Sequence, residues 1–327
     1  MSQLTQEQIK AFKAGFPGVT EREPMSKHTT YRLGGPARLY LVADTSDRMV
    51  EAVQHADALN IPWYVYGGGS NLLVTDDGYE GLVIQAANRH IQISEETVIV
   101  ESGMISALVA RQTVEAGLTG FEWAIGLPGT IGGAIYGNGG CFGGEMRDAI
   151  VSVEAYRLKD HKRVMIPVAE CQYGYRESLF KHERHVILGC TLTLTRATDP
   201  VALKQTFQET LSARKDQQPL DQSSAGCVFK NVEYTDDQSL DILRRSISEI
   251  PPEMVAKKRL GAGWLIDQLG LKGYQIGGVK VSDKHANFFV NTEKAKAQDV
   301  IALISYIKMK VRDELGIELQ EEVQYLI

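Results

Sequence analysis

The chain has 327 residues, 43% hydrophobic and 23% charged, with a formal net charge of −6. That apolar share supports a sizeable core and argues against disorder, while the acidic balance argues against a nucleic-acid coat, which needs a basic surface. Glycine is over-represented at 31 residues, but with no G-X-Y period and only 10 prolines the chain is not collagen.

Met1–Lys10 is polar and lacks the apolar core of a secretion signal, so a cytoplasmic location is expected. Gln6–Ala14 reads as a short amphipathic helix, and KHTTYRLGGPARLYLVAD as a turn followed by a strand. Thr45–Asn60 carries Val50, Val53, Ala56 and Leu59 at helical spacing. PWYVYGGGSNLLV places two β-rich runs around a glycine triplet, and GLVIQ and TVIVES read as strands. Ile105–Ala116 is predicted as a helix ended by Gly117, followed by strands near Ile150–Arg157, Arg163–Ile166 and His185–Thr195 and a helix over Val201–Arg214. Beyond DQSSAGCVFKN come a helix-rich stretch, AGWLIDQLGLKGYQIGG, a strand over Asn287–Asn291, a long helix with Val300, Leu303, Ile304, Ile307 and Val311 on one face, and a final strand in ELQEEVQYLI. The longest uncharged run, Trp123–Gly144, is too rich in glycine and contains Pro128, so no membrane span is expected. Cys141, Cys171, Cys190 and Cys227 form no CxxC pair, and His28 and His285 have no partner at metal-ligand spacing, so reduced thiols and no metal are expected.

Two glycine clusters point to a ligand. Gly67-Gly68-Gly69-Ser70-Asn71 lets the backbone approach a ligand closely, as in a phosphate-binding nest, although Leu72 breaks the G-x-G-x-x-G pattern and no GK[ST] is present. Alone, the triplet is more economically an ordinary tight turn. Ten glycines fall in Gly120–Gly144, where Pro128-Gly129-Thr130 feeds a short helix, Ile131-Gly132-Gly133-Ala134, whose bare N–H groups suit a diphosphate. Two nests and a small-residue helix together favour a dinucleotide cradle. Arg176, within Gly174-Tyr175-Arg176-Glu177-Ser178, offers a fork for carboxylate or phosphate, though such an arginine is more often a surface or ion-pair residue. By itself Cys227 reads as a small buried hydrophobe, and Glu322 as a solvated carboxylate.

The motifs HTTYRLGGPA, YGGGSNLLV, GLPGTIGGAIYGNGG, YGYRES, SSAGCVFKN, AGWLIDQLGLKGYQIGG and LQEEV, in this order, resemble the UDP-N-acetylenolpyruvoylglucosamine reductase family from about residue 28 onward. The resemblance implies an α+β chain: a p-cresol methylhydroxylase-type FAD-binding domain over 1–200, with subdomains of about 1–66 and 67–200, followed by a smaller substrate-binding domain over 201–327. The segment 318–327 is expected to return to the active site. FAD and NADPH are the implied cofactors, with a UDP-sugar as substrate in a monomer. Gly67, Gly68, Gly69, Ser70, Asn71, Leu72, Gly126, Gly129, Thr130, Gly133 and Gly140 are implied to line the flavin.

Reduction of an enolpyruvyl double bond adds hydride at the β-carbon and loads negative charge onto the α-carbon and its carboxylate, so a stabilising cation and a proton donor are needed. The resemblance assigns these roles to Arg176 and Cys227, with Glu322 assisting at the carboxylate. It gives Tyr175, Lys230, Asn231, Gln268 and Lys272 to the UDP-sugar. The chain departs from the family pattern at Cys227, where many members carry Ser, and at Val232, where Pro is usual. Two alternatives stand beside this reading: another FAD oxidoreductase of the same fold acting on a different sugar or alcohol, and a flavin-free nucleotide-sugar binding protein. Covalent flavin attachment occurs in relatives of the fold; nothing in the sequence assigns it here, although Cys141 lies inside the glycine-rich run.

Overall fold

The computed structural model describes residues 3–234, 247, 249–292 and 294–327. The chain divides into two compact units. The first comprises residues up to Glu23, Pro36–Gly69 and Tyr79–Asp216, and the second comprises Pro24–Gly35, Ser70–Gly78 and residues from Gln217 onward.

The first unit opens with the helix Gln6–Gly15, started by a capping box in which the Thr5 hydroxyl accepts from Gln8 N and the Gln8 side chain accepts from Thr5 N. Its Ile9 and Phe12 face inward, as do Met49, Val53 and Ala56 of the helix Ser46–Ala58. Both pack with Leu39, Leu41, Leu82 and Ile84 from a four-stranded sheet ordered Thr20–Pro24, Pro36–Ala43, Tyr79–Ala86, Trp63–Tyr66. The last three strands pair in parallel, as the βαβ spacing through the 46–58 helix requires.

A second, antiparallel sheet in this unit is ordered Lys162–Pro167, Ile150–Arg157, His185–Thr193, Thr97–Glu101, Ile91–Ser94. Val98, Val100, Val153 and Leu192 pack with Val109 and Val114 of the helix Ser106–Glu115 and with Leu203 and Phe207 of the helix Pro200–Gln217. Gly117, at φ +74°, ends the 106–115 helix where expected. The edge strand Ile91–Ser94 escapes the sequence reading because only Ile91 and Ile93 give it an apolar signal, and both are half-buried.

Asn88 pins the two layers together. It is fully buried and uses its whole amide: Nδ2 donates to Leu188 O and Ser46 Oγ at 3.0 Å, and Oδ1 accepts from Ser102 Oγ at 3.1 Å and Gly103 N at 3.0 Å.

In the second unit the helix Ala297–Leu315 buries the predicted face, Val300, Leu303, Ile304, Ile307 and Val311, against the three-stranded antiparallel sheet Gln275–Ile276, Val279–Val281, Phe289–Asn291. The start of this helix is capped from far away in sequence: the Asp76 carboxylate accepts from Ala297 N at 2.9 Å and Gln298 N at 3.2 Å. The strand Gln324–Leu326 pairs in parallel with Leu72–Val74, and Tyr31 and Leu33 complete the same core. The regular strand expected over Asn287–Asn291 spans only Phe289–Asn291, because Asn287 is diverted to another task described below. Of the helix-rich stretch expected between Asn231 and Gly261, residues 235–246 and 248 lie outside the described residues; the described part contains the helix Pro252–Ala256. None of the described helices is long and apolar enough to cross a membrane.

Asn88→Ala leaves two buried donors, the Ser102 hydroxyl and Gly103 N, without these partners, while Leu188 O keeps its bond from Ser102 N at 2.8 Å; each orphaned donor costs about 1–3 kcal/mol. A loss of about 2–3 kcal/mol in urea denaturation is expected; a loss below about 0.5 kcal/mol would contradict the pinning role.

Candidate active site

In the first unit the two glycine clusters meet. A Cβ on Gly67 would coincide with the Thr130 hydroxyl, and one on Gly68 would come within 3.2 Å of Gly129 Cα. Two loops 60 residues apart in sequence thus lie backbone to backbone, which only side-chain-free positions permit. The Thr130 hydroxyl beside them is buried and has no hydrogen-bond partner among the described residues. Thr130 occupies the N-cap of the helix Ile131–Tyr136, yet its side chain does not cap that helix. A buried hydroxyl diverted from its local partner, at a cradle of bare backbone, fits a polar group of a bound dinucleotide.

One expectation is corrected here. The first N–H groups of that short helix are not bare: Ile131 N donates to Met104 O at 2.9 Å, and Gly132 N to Ser102 O at 2.8 Å. The small residues divide by task. Gly132 is packed so closely on Ser102 that a Cβ would come within 2.9 Å of that side chain, whereas a Cβ on Gly133 would meet only the Thr130 hydroxyl, at 3.9 Å. Gly133 therefore faces open space beside Thr130.

Further along the glycine-rich run, Gly126 is closed off by Cys141 and Phe142, and Gly140 by Gly144 and Glu145. Burial pushes the Cys141 thiol up to about 11, against the pull of Arg214 and Arg176. It therefore stays protonated at neutral pH, a poor state for a covalent flavin linkage.

Arg176 is brought to this run by a tight turn in which Gly174 N donates to Glu177 O and Glu177 N to Gly174 O. Arg176 itself sits at φ +54°, a left-handed conformation that is uncommon for a residue with a side chain and is found disproportionately at functional sites. Its guanidinium donates to Gly140 O at 2.8 Å and lies 5.2 Å from the Tyr175 ring centroid. Two polar residues fasten the turn. The buried Asn138 donates to Gly174 O at 2.8 Å and to Glu145 Oε2 at 2.9 Å, and Ser178 Oγ donates to Tyr136 O at 2.6 Å. The Asn138 amide bonds depend on tertiary neighbours that no local sequence pattern shows.

In the second unit Gly226, at φ +75°, turns the chain into Cys227. Cys227 forms an antiparallel bridge with Phe288, and Phe229 one with Glu321. Val228 O accepts from Glu322 N at 2.8 Å, so the half-buried thiol and carboxylate residues lie on adjoining backbone segments. Asn71 secures the second of these: its Nδ2 donates to Glu322 O at 3.0 Å, and its own O accepts from Gln324 N at 2.9 Å. Leu72 is buried in the pairing with the C-terminal strand. The five residues Gly67–Asn71 thus divide between the units, with Gly67–Gly69 in the first and Ser70 and Asn71 in the second.

The other residues assigned to the UDP-sugar are more dispersed. Lys230 is half-buried and its backbone N–H donates to Gln320 O; the Asn231 side chain accepts from Ala262 N at 3.1 Å, at the start of the helix Ala262–Gln268. Lys272 is paired with Asp267 at 2.7 Å, and Gln268 lines a surface groove with Glu249, Pro251 and Glu314.

A cradle of close-packed backbone with an orphaned hydroxyl, in a unit built of mixed sheets, fits a flavin-binding protein. Residues 37–160 accordingly match the family model described as an FAD binding domain. Residues 218–326 match the UDP-N-acetylenolpyruvoylglucosamine reductase C-terminal domain. Two proteins named UDP-N-acetylenolpyruvoylglucosamine reductase, from Caldanaerobacter subterraneus subsp. tengcongensis and Heliobacterium modesticaldum, are 34% and 36% identical to the chain, covering 92% and 94% of it and 91% and 90% of their own lengths. The crystal structure of the reductase of that name from Thermus caldophilus superposes with a TM-score of 0.72 at 31% identity, over 94% of this chain and 98% of that one. The chain belongs to the UDP-N-acetylenolpyruvoylglucosamine reductase family. It is an FAD-containing oxidoreductase, and its α+β class, an FAD-binding domain followed by a second domain, is the one the resemblance implied.

Thr130→Val removes the orphaned hydroxyl while keeping its shape. The flavin-free protein is expected to be unchanged or up to about 1 kcal/mol more stable, and FAD to bind more weakly. Unchanged FAD affinity by fluorescence titration would remove Thr130 from the cradle.

Proposed function

We propose that this chain performs the NADPH-dependent reduction, through FAD, of the enolpyruvyl group of UDP-N-acetylglucosamine enolpyruvate. The product is UDP-N-acetylmuramate for peptidoglycan precursor synthesis. The observation that carries the reading is the hydrogen bond from Glu322 N to Val228 O, which sets a carboxylate residue beside the Cys227 segment in a chain of this reductase family.

FAD, when bound, would supply the hydride chemistry for the β-carbon, with NADPH as the reductant. The cofactor would be held by Gly67–Leu72 and by Gly129, Thr130 and Gly133, where two loops meet through main chain and the Thr130 hydroxyl lacks a partner, with Gly126 and Gly140, closed off by their neighbours, in the same run. Arg176, charged at any working pH, stabilises the negative charge that accumulates on the substrate carboxylate. The Cys227 thiol gives its proton to the α-carbon, is left as a thiolate, and takes a proton from water before the next turnover. A thiol, with an ordinary pKa of about 8.5, is a stronger acid than the serine hydroxyl common at this place in the family. Glu322 orients the same carboxylate end, and the 318–327 segment is the part of the chain that delivers it. Tyr175, Lys230, Asn231, Gln268 and Lys272 bind the UDP-sugar. The enzyme works as a cytoplasmic monomer.

Gly133→Ala tests the cradle. It adds a methyl where no protein atom lies closer than 3.9 Å, and alanine favours a helix by about 0.5–1 kcal/mol over glycine. The flavin-free fold is expected to hold while FAD affinity falls; full flavin retention would rule out contact there. Cys227→Ala tests the chemistry by stopped-flow absorbance. NADPH should still bleach the flavin, but reoxidation by the enolpyruvyl substrate should slow by about 10²–10⁴, with Cys227→Ser keeping appreciable turnover. Normal turnover of the Ala variant would falsify the proton-donor role.

A further inference from the structure

We infer that Asn287 is a positioning residue for the proton transfer, acting through the main chain that carries Cys227. The inference rests on the reading of Cys227 as the proton donor, and it stands on the hydrogen bonds that fix residues 227–229.

Asn287 is 2% exposed, and every polar group it owns is committed. Its main-chain O accepts from Val228 N at 2.9 Å. Its side-chain Oδ1 accepts from Phe229 N at 3.0 Å, and its Nδ2 donates to Phe229 O at 2.8 Å. Its own N–H donates to His285 Nδ1 at 3.2 Å. Burial lowers the His285 pKa, in keeping with a neutral ring that can accept there.

The amide therefore presents a donor and an acceptor to Phe229 as a peptide group of a neighbouring strand would. This is why regular pairing begins only at Phe289: at Asn287 the side chain takes over a rung of the ladder. The next residue, Phe288, bridges to Cys227 itself. Cys227 is consequently held between a left-handed Gly226 on one side and a doubly clamped Val228–Phe229 on the other. The opposite edge of the same segment carries Glu322 through Val228 O. Without the Asn287 amide, Phe229 loses both of the bonds its main chain makes to that side chain. The Cys227 Cα is then free to shift relative to Glu322, and a displacement of about 1 Å at a reacting group costs about 10²-fold in rate.

A buried asparagine that merely supports the fold would give the same bonds, so the test separates the two. Holoenzyme carrying Asn287→Ala is compared with wild type by stopped-flow absorbance in each half-reaction. Bleaching of the flavin by NADPH should stay within about twofold, and reoxidation by the enolpyruvyl substrate should slow by about tenfold or more. In a Cys227→Ala background the same Asn287→Ala change should alter reoxidation by less than about twofold, because the group it positions is gone. Equal slowing of both half-reactions, wild-type reoxidation, or an equal loss in both backgrounds would overturn the proposal. Should Asn287→Ala not yield flavin-loaded protein, Asn287→Asp is read the same way; it keeps the acceptor for Phe229 N and removes the donor to Phe229 O. Normal reoxidation by Cys227→Ala alone would refute the proton-donor reading itself, an outcome distinct from a positioning failure.

Discussion

A methyl group at Gly67 would fall on the Thr130 hydroxyl, and one at Gly68 would press within 3.2 Å of Gly129 Cα. That steric exclusion governs the first unit. Because the two loops touch through main chain, the surface they share is made of peptide groups, with the buried Thr130 hydroxyl left without a partner among the described residues. A surface of this kind recognises a large polar cofactor by shape and peptide dipoles, and needs no excess of positive charge. The net charge of −6 is consistent with such recognition.

The second unit solves a different problem with the same material. Cys227 and Glu322 lie on adjoining backbone segments that main-chain hydrogen bonds hold in register. The 226–230 segment is laced on one edge to residues 287–288 and on the other to residues 320–322 by strand-like hydrogen bonds. Side chains that imitate peptide groups complete the lacing where regular strands stop. Asn287 does this for Phe229, Asn71 for Glu322, and Asn231 for the start of the 262–268 helix. In the first unit Asn88 and Asn138 serve in the same manner.

These asparagines mark the limit of what the sequence discloses. The long periodic elements were legible: the 46–58, 106–115 and 297–315 helices and the 150–157 strand lie where spacing and Gly117 place them. The glycine clusters were legible as places of close backbone approach, and Gly67 and Gly68 do meet Thr130 and Gly129. The occupied N–H groups of Ile131 and Gly132 were not legible, since their acceptors, Met104 and Ser102, lie about thirty residues upstream. The left-handed backbone of Arg176 was equally hidden, because arginine carries no signal for that conformation. Motif order identified the family; the residues that aim its candidate catalytic groups emerged only from the fold.

The second unit draws on three separate stretches of chain, with Leu72–Val74 paired to Gln324–Leu326 and Asp76 capping a helix that starts at Ala297. On the ribosome this imposes an order of events. All the strands of the two larger sheets are available once residue 193 has been made. Residues 70–78 must wait through roughly 250 further additions, which at about 5–20 residues per second is a delay on the order of tens of seconds. During that interval Leu72, Leu73 and Val74, all buried in the finished protein, are an exposed apolar edge strand. Nascent chains of this protein are thus predisposed to chaperone capture at that segment.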